Sequence, residues 1–580
     1  MSNSIEEAVS CYRSALRLQP NHPHAFNNLG CALRDMGMTK EAMHCLVTAA
    51  RLSPAFAVAH CNIGSLMMEH SLFPQAFGHL EEALRLDDTL AEAHLNKGNF
   101  FKEMGDLHEA LASYSTAIQL SPTMLEALSS TGMVFDIQGR CKEAIEQYTL
   151  ALEAHPSDPA LTILRTNTKR CICIWDSWSD DQEEIQRILD VQRNANVRGK
   201  SSAGTAFYRS LLLCFQPMDA VCHTLSNAEI HQVAKRSAQR AKNLTAMFAK
   251  EFKHRSKSRS GRIRLGYVSS DFSSPDVAHM THSLLEQHDT SRFDVTCYSL
   301  TPPSASDSTE FYGNSSITFR DLSGLHFADA AKLVHENNIH ILINLGNCSK
   351  GAKNEIFAMR PSPLQIGMHP YGASFGADFL DYVVTDKIVT PVASRENFTE
   401  KLLLMPHSYL MNDHKLSHRY ILDVDKDTLP LRADFGISED KFVFCNFSPL
   451  CQVDPTIFST WINILKRVPN AVLWLTRHTD NGASNLIKEA RLRGVREEQL
   501  VFSSVTTIEQ RIKQCLLADL YIDTVFGGAG MIACDALWAG TPVLTLEGRN
   551  AAASSTASAL ASVGLGDLVA SSLIGYFYSK

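Results

Sequence analysis

Between residues 441 and 548 the chain alternates short apolar runs with amphipathic stretches. The runs at 442–447, 471–475, 500–502, 520–522 and 543–546 are too short for helices and predict strands. Helical spacing of apolar positions separates them at 454–467, 485–492, 508–517 and 531–538, and Asp454-Pro455 is a helix start. Continuous apolar strands between helices predict a parallel sheet with helices on both faces. Ligands of such sheets bind beyond the carboxyl ends of the strands. Gly527-Gly528-Ala529-Gly530 precedes the helix at 531–538. Free N–H groups and the helix dipole make that loop a place for a phosphate. A second alternation, with strands at 263–268, 293–300, 339–345 and 381–385 and a helix at 328–336, predicts another α/β lobe. The lobes are expected over 261–415 and 431–580.

Residues 1–158 follow a different rule. Pro20, Pro54, Pro122 and Pro156 fall on one 34-residue grid, and Gly30, Gly64, Gly98 and Gly132 on another. Ala8, Ala42, Ala76, Ala110 and Ala144 make a third grid, and Ala15, Ala49, Ala83, Ala117 and Ala151 a fourth. Small residues let paired helices approach and proline ends the second helix. This period resembles tetratricopeptide repeats, whose helical hairpins stack into an α-solenoid because none buries its apolar face alone. Residues 5–18 match only the second helix of a unit, so the array is expected to start mid-unit. Asn28, Asn62 and Asn96 recur on the same grid until Ser130 interrupts them. A row of amides suits the backbone of an extended peptide; the plainer alternative is that asparagine is tolerated on a helix surface.

The grids stop after Asp158. Residues 159–260 are expected to form a helical cap and linker, with Trp175, Trp178 and an acidic run at 180–184 leading into a helix, and further helices at 202–249. Lys250, Lys253, Arg255, Lys257, Arg259, Arg262 and Arg264 make a basic stretch. It is read as a solvated linker, with nuclear localisation or phosphate binding as the alternative.

Composition narrows the function. A chain of 580 residues is too long for one core and predicts two to four domains. The net charge of −8 argues against general nucleic-acid binding. No apolar run reaches membrane-spanning length, and the first residues carry no signal-peptide pattern. Fifteen cysteines are scattered without paired metal-ligand spacing, which predicts no metal site and a reducing compartment, cytoplasm or nucleus.

Several segments resemble the catalytic region of protein O-GlcNAc transferases. They are residues 261–272 (GRIRLGYVSSDF), 339–344 (IHILIN), 350–355 (KGAKNE), Met359-Arg360-Pro361, Met405-Pro406-His407, 461–470 (WINILKRVPN) and 535–542 (DALWAGTP). Repeats followed by these segments cover nearly the whole chain. The resemblance implies a two-lobed GT-B fold and GlcNAc transfer from UDP-GlcNAc to Ser/Thr hydroxyls of nuclear and cytosolic proteins. That chemistry is inverting and needs neither metal nor cofactor. The implied partners are polypeptides held by the repeat array, and an oligomer is compatible with this. The link at 416–430 lacks the long insertion of the animal enzymes. The chain also stops soon after Ala570, so shortening at both ends is expected, with apolar sheet surface left bare.

The chain departs from the family where donor chemistry is expected. The lysine beside the leaving diphosphate is Gln452, and the preceding glutamine is Pro449. A fixed cation lost there costs on the order of a hundred- to a thousand-fold in rate. The family's Gly-His-Thr-Thr-Gly reads 529–533 (AGMIA), which leaves backbone N–H groups near Gly530 and Met531. A Lys, His, Arg series reads Ile508, Arg511 and Gln514, with Arg511 a substitute cation. In the first lobe one histidine of the motif is Pro275, His279 matches the second, and the loop at 370–376 is altered. Asp535 matches the acidic residue near the ribose, and Thr506 sits where a backbone group meets the uracil. Asp535 has an alternative role as an early-helix acid, and His279 as a packed histidine. Two readings follow: a divergent transferase with weakened or lost catalysis, or a non-catalytic pseudo-transferase acting as a repeat-based scaffold.

Overall fold

The computed structural model describes residues 2–578 except 37, 157, 198–216, 222, 224, 247, 249–251, 255–260, 271, 273, 274, 303–316, 347–351, 369–371, 424–428, 505, 506, 528, 529 and 549. Thr506, Gly528 and Ala529, much of the basic stretch and part of the helical region at 202–249 therefore lie outside the described residues. The chain forms two units. One holds Met1–Lys169, Asp176–Phe215 and Ala246–Phe248; the other holds Arg170–Trp175, Gln216–Thr245 and Ala249–Lys580.

The first unit is the helical array. Helix Ser2–Leu18 is followed by the pairs Pro23–Asp35/Thr39–Leu52, Ala57–Glu69/Phe73–Leu86, Ala91–Glu103/Leu107–Leu120 and Leu125–Ile137/Cys141–Ala154. The glycine grid marks each crossing. A Cβ on Gly30 would lie 2.7 Å from Leu46 Cγ, and one on Gly132 would lie 2.4 Å from Tyr148 Cε1. From Ala42 onward the alanine grids are fully buried, at Ala42, Ala49, Ala76, Ala83, Ala110, Ala117, Ala144 and Ala151, whereas Ala8 is half-buried and Ala15 exposed.

Helix Pro159–Cys171 starts 34 residues after Leu125, so the period runs one helix past Asp158. The glycine grid hides this because its next member is Thr166, a buried residue. The following helix, Trp178–Val197, starts off the period and carries Asp180 and Asp181 in its first turn, where the dipole favours them.

The second unit contains two parallel sheets. The first comprises β1 (Ile263–Ser269), β2 (Phe293–Ser299), β3 (Thr318–Asp321), β4 (Ile341–Asn344), β5 (Leu364–Gly367), β6 (Tyr382–Asp386) and β7 (Lys401–Met405), in the order β3-β2-β1-β4-β5-β6-β7. The second comprises β8 (Phe442–Asn446), β9 (Ala471–Thr476), β10 (Leu500–Ser503), β11 (Leu520–Ile522), β12 (Val543–Leu546) and β13 (Val569–Ala570), in the order β10-β9-β8-β11-β12-β13. Every recorded strand pair in both sheets is parallel. In each sheet the order reverses beside the first strand, so the switch points lie between β1 and β4 and between β8 and β11.

Helix Leu573–Tyr578 buries Tyr576, whose hydroxyl donates to the Asp523 carbonyl at 2.9 Å and accepts from Trp461 Nε1 at 3.3 Å.

Candidate functional site

Of the residues that the resemblance singled out, Gln452 follows β8 and Gly530, Met531 and Asp535 follow β11. At the end of β8, Asn446 Nδ2 donates to the Ile522 carbonyl of β11 at 2.8 Å, and Asn446 Oδ1 accepts from Ser448 N at 3.1 Å. Ser448 Oγ lies 3.0 Å from the Tyr521 hydroxyl. The chain then makes a single 3-10 turn, Leu450–Gln452, and enters helix Pro455–Arg467. Asp454 caps that helix through Thr456 N at 2.6 Å and Ile457 N at 3.2 Å. Gln452 sits at the end of the turn, half-buried, and its Oε1 has no hydrogen-bond partner among the described residues.

Across the switch point, β11 leads to helix Gly530–Trp538. Gly530 is buried, and a Cβ there would lie 2.8 Å from Ser555 Oγ and 3.4 Å from Leu410 Cδ1. Only glycine fits that approach, which keeps the backbone at the helix start close to its neighbours. Met531 follows, half-buried.

Asp535 is fully buried one turn further on. His414 Nε2 donates to its Oδ1 at 2.6 Å, and Arg511 Nε donates to its Oδ2. Burial alone would raise the Asp535 pKa; the hydrogen bond from His414 and the Arg511 charge outweigh it and hold the carboxyl below its ordinary range. Both carboxylate oxygens thus have protein partners, and Arg511 is a counter-ion to Asp535. His414, at 2 % exposure, comes from the stretch between β7 and β8 and lies 121 positions from Asp535 in sequence. That separation hid it from sequence reasoning.

The first lobe contributes less to the description. His279 falls on helix Pro275–Glu286, with its side chain outside the described residues. One turn on, His282 Nδ1 lies 3.3 Å from Asp413 Oδ2, next to His414. The lobes also meet at Asp386, whose Oδ2 accepts from Ser558 Oγ at 2.6 Å and Tyr409 N at 2.9 Å.

The asparagine row lies in the other unit. Asn28 is exposed, whereas Asn62 and Asn96 are half-buried. Asn62 Nδ2 donates to Asn27 Oδ1 at 2.9 Å and Asn96 Nδ2 to Cys61 Sγ at 3.4 Å, each 35 positions back. Asn27 Nδ2 donates to Asn28 Oδ1 at 3.2 Å. The amides of Asn28, Asn27 and Asn62 are thus linked from one repeat to the next through buried Asn27, off the 34-residue grid, whereas Asn96 bonds a cysteine.

Comparison with known proteins agrees with this architecture. The profile of glycosyl transferase family 41 matches residues 178–428 and 423–578. The chain belongs to glycosyl transferase family 41. Tetratricopeptide repeat profiles match residues 23–56 and 89–159. Among family 41 relatives, the "Probable UDP-N-acetylglucosamine--peptide N-acetylglucosaminyltransferase SEC" of Arabidopsis thaliana is 34% identical over 410 residues, 69% of this chain and 40% of the relative. The UDP-N-acetylglucosamine--peptide N-acetylglucosaminyltransferase of Caenorhabditis elegans is 30% identical over 417 residues, 53% of this chain and 36% of the relative. The chain therefore spans well under half the length of these two family members. A solved O-GlcNAc transferase mutant from Thermobaculum terrenum shares the fold, with a TM-score of 0.57 at 22% identity over 90% of this chain and 88% of that one.

Proposed function

We propose that this family 41 chain takes a uridine diphosphate sugar at the β8–β11 switch point and transfers GlcNAc to polypeptide hydroxyls slowly. The observation that carries the reading is the Leu450–Gln452 turn. It stands at the carboxyl end of β8, opposite the start of helix Gly530–Trp538, yet ends in a neutral amide. Backbone N–H groups at Gly530 and Met531 remain to receive phosphate oxygens. Gln452 can hydrogen-bond a phosphate but cannot neutralise charge developing on the leaving diphosphate. Asp535 acts chiefly as the carboxylate that binds His414 and Arg511. Thr506 and His279 keep the roles that the resemblance implies, beside uracil and in the first lobe. Polypeptides are taken by the repeat array along Asn28, Asn62 and Asn96. Nuclear and cytosolic proteins are the acceptor class named by the resemblance.

Calorimetric titration of UDP and UDP-GlcNAc into the natural chain and a Gln452→Lys variant tests this. Weak binding by the natural chain is expected, with the variant tighter on the order of tenfold, because a charge-assisted contact replaces a neutral one. A peptide transfer assay should then show the variant faster. No nucleotide binding by either folded form would overturn the reading and leave the non-catalytic scaffold.

A further inference from the structure

Segment Arg170–Trp175 grips the turn that carries Gln452. Arg170 is 2 % exposed, and its Nη2 donates to the Cys451 carbonyl at 2.9 Å. Its Nη1 lies 3.3 Å from Nδ1 of His223, whose pKa is driven well down, first by burial and then by the Arg170 charge. His223 is thus a neutral acceptor for the guanidinium. The same charge acts weakly on Asp454, whose carboxyl stays raised by burial although the Thr456 and Ile457 hydrogen bonds and, least, Arg170 oppose it. Cys173 Sγ lies 3.9 Å from the Leu450 carbonyl. Asn485 Nδ2 donates to the Ile172 carbonyl at 2.7 Å, and the Trp175 ring packs 5.4 Å from that of Phe458. The turn itself has two backbone bonds, Gln452 N to the Pro449 carbonyl and Val453 N to the Leu450 carbonyl, both 3.0 Å. A single 3-10 turn has weak internal geometry, so its orientation depends on what holds its carbonyls.

We infer that Arg170 is a positioning residue of the nucleotide site: it fixes the Leu450–Gln452 turn from beneath, so that Gln452 faces the diphosphate. This rests on the reading of that turn as part of the donor site. A neutral Gln452 makes the alignment matter more, because a hydrogen bond weakens steeply with angle whereas a point charge does not.

The test uses the full chain with Arg170→Met and Arg170→Lys. Alkylation by N-ethylmaleimide is followed at each cysteine by peptide mass spectrometry, beside UDP titration. Cys451 is half-buried in the turn; Cys445, buried in β8, reports whether the lobe stays folded. Arg170→Met should raise alkylation of Cys451 and weaken UDP binding, each on the order of tenfold for one lost charge-assisted bond, with Cys445 still protected. Arg170→Lys should fall between it and the natural chain. Unchanged Cys451 reactivity in Arg170→Met would overturn the inference. Should Cys445 also react in Arg170→Met, the lysine variant decides: faster Cys451 alone supports the role, and a natural rate overturns it. If the natural chain binds no UDP, the donor reading fails, while the alkylation comparison still tells whether Arg170 holds the turn.

Discussion

Asp535 shows how a side chain's work is decided by its partners. Its acid type and place were legible, but its partners were not: His414 comes from another part of the chain, and Arg511 reads from sequence as a spare cation. In the structure the three form a buried network in which both carboxylate oxygens accept. Removing the carboxylate takes an ion-pair partner from a mostly buried guanidinium, with only 12% of the Arg511 side chain exposed. Asp535→Ala should therefore destabilise the second unit by about 3–5 kcal/mol, the usual cost of breaking a buried pair. Urea unfolding of the pair Asp535→Ala and Asp535→Ala/Arg511→Leu checks the cause. The double variant should recover much of the loss, since an apolar side chain has no charge to desolvate. Equal losses in both would mean that Asp535 stabilises by packing, not by pairing.

At the scale of elements, the repeat helices were the most legible part because one physical requirement, close approach at each crossing, writes a small residue every 34 positions. Gly132 is the sharpest case: its added Cβ would overlap the Tyr148 ring, which is fully buried and donates through its hydroxyl to Asp136 Oδ2 at 2.8 Å. Gly132→Ala is expected to cost about 1–3 kcal/mol through overpacking, despite the better helix propensity of alanine. A thermal melt followed at 222 nm reads it; a stabilised variant would show that the ring moves aside freely. Central strands β8, β9 and β11 were legible from their apolar runs. Edge strand β10 was legible too, but β3, β7, β13 and the inner strand β5 were not. β3 has no fully buried residue and two charged side chains, and β13 has only two residues. Helix Pro159–Cys171 lies in the expected helical cap, and its on-period start was not read because the glycine grid continues at Thr166, a threonine.

On the scale of the second unit, helix Asn227–Thr245 straps the two lobes together, and its chemistry makes the strap sensitive to acid. On the first-lobe side, His231 Nε2 lies 2.9 Å from Thr399 Oγ1, and a Cβ on Gly376 would lie 2.2 Å from Lys235 N. On the second-lobe side, Asn227 Oδ1 accepts from Ala551 N at 3.2 Å. Burial, assisted by the Lys235 charge one turn on, lowers the His231 pKa to about 4. The unfolded chain, with an ordinary histidine pKa of about 6.5, binds more protons than the folded one across that window. Folded stability is then full above the unfolded value and falls as the pH drops toward 4. His223, buried beside Arg170, is shifted in the same direction. The Asp535 carboxyl adds nothing in this window, because its lowered pKa confines its loss to more acidic conditions. Hydrogen exchange of the full chain at pH 7.5, 5.5 and 4.5 should show protection of residues 227–245 falling before that of the β8–β11 core. In His231→Gln, which keeps a hydrogen-bonding side chain but cannot charge, part of that early loss should disappear. Identical acid profiles for the two proteins would mean that the strap loosens for a reason other than His231, leaving His223 and its contact with Arg170 as the next group to vary.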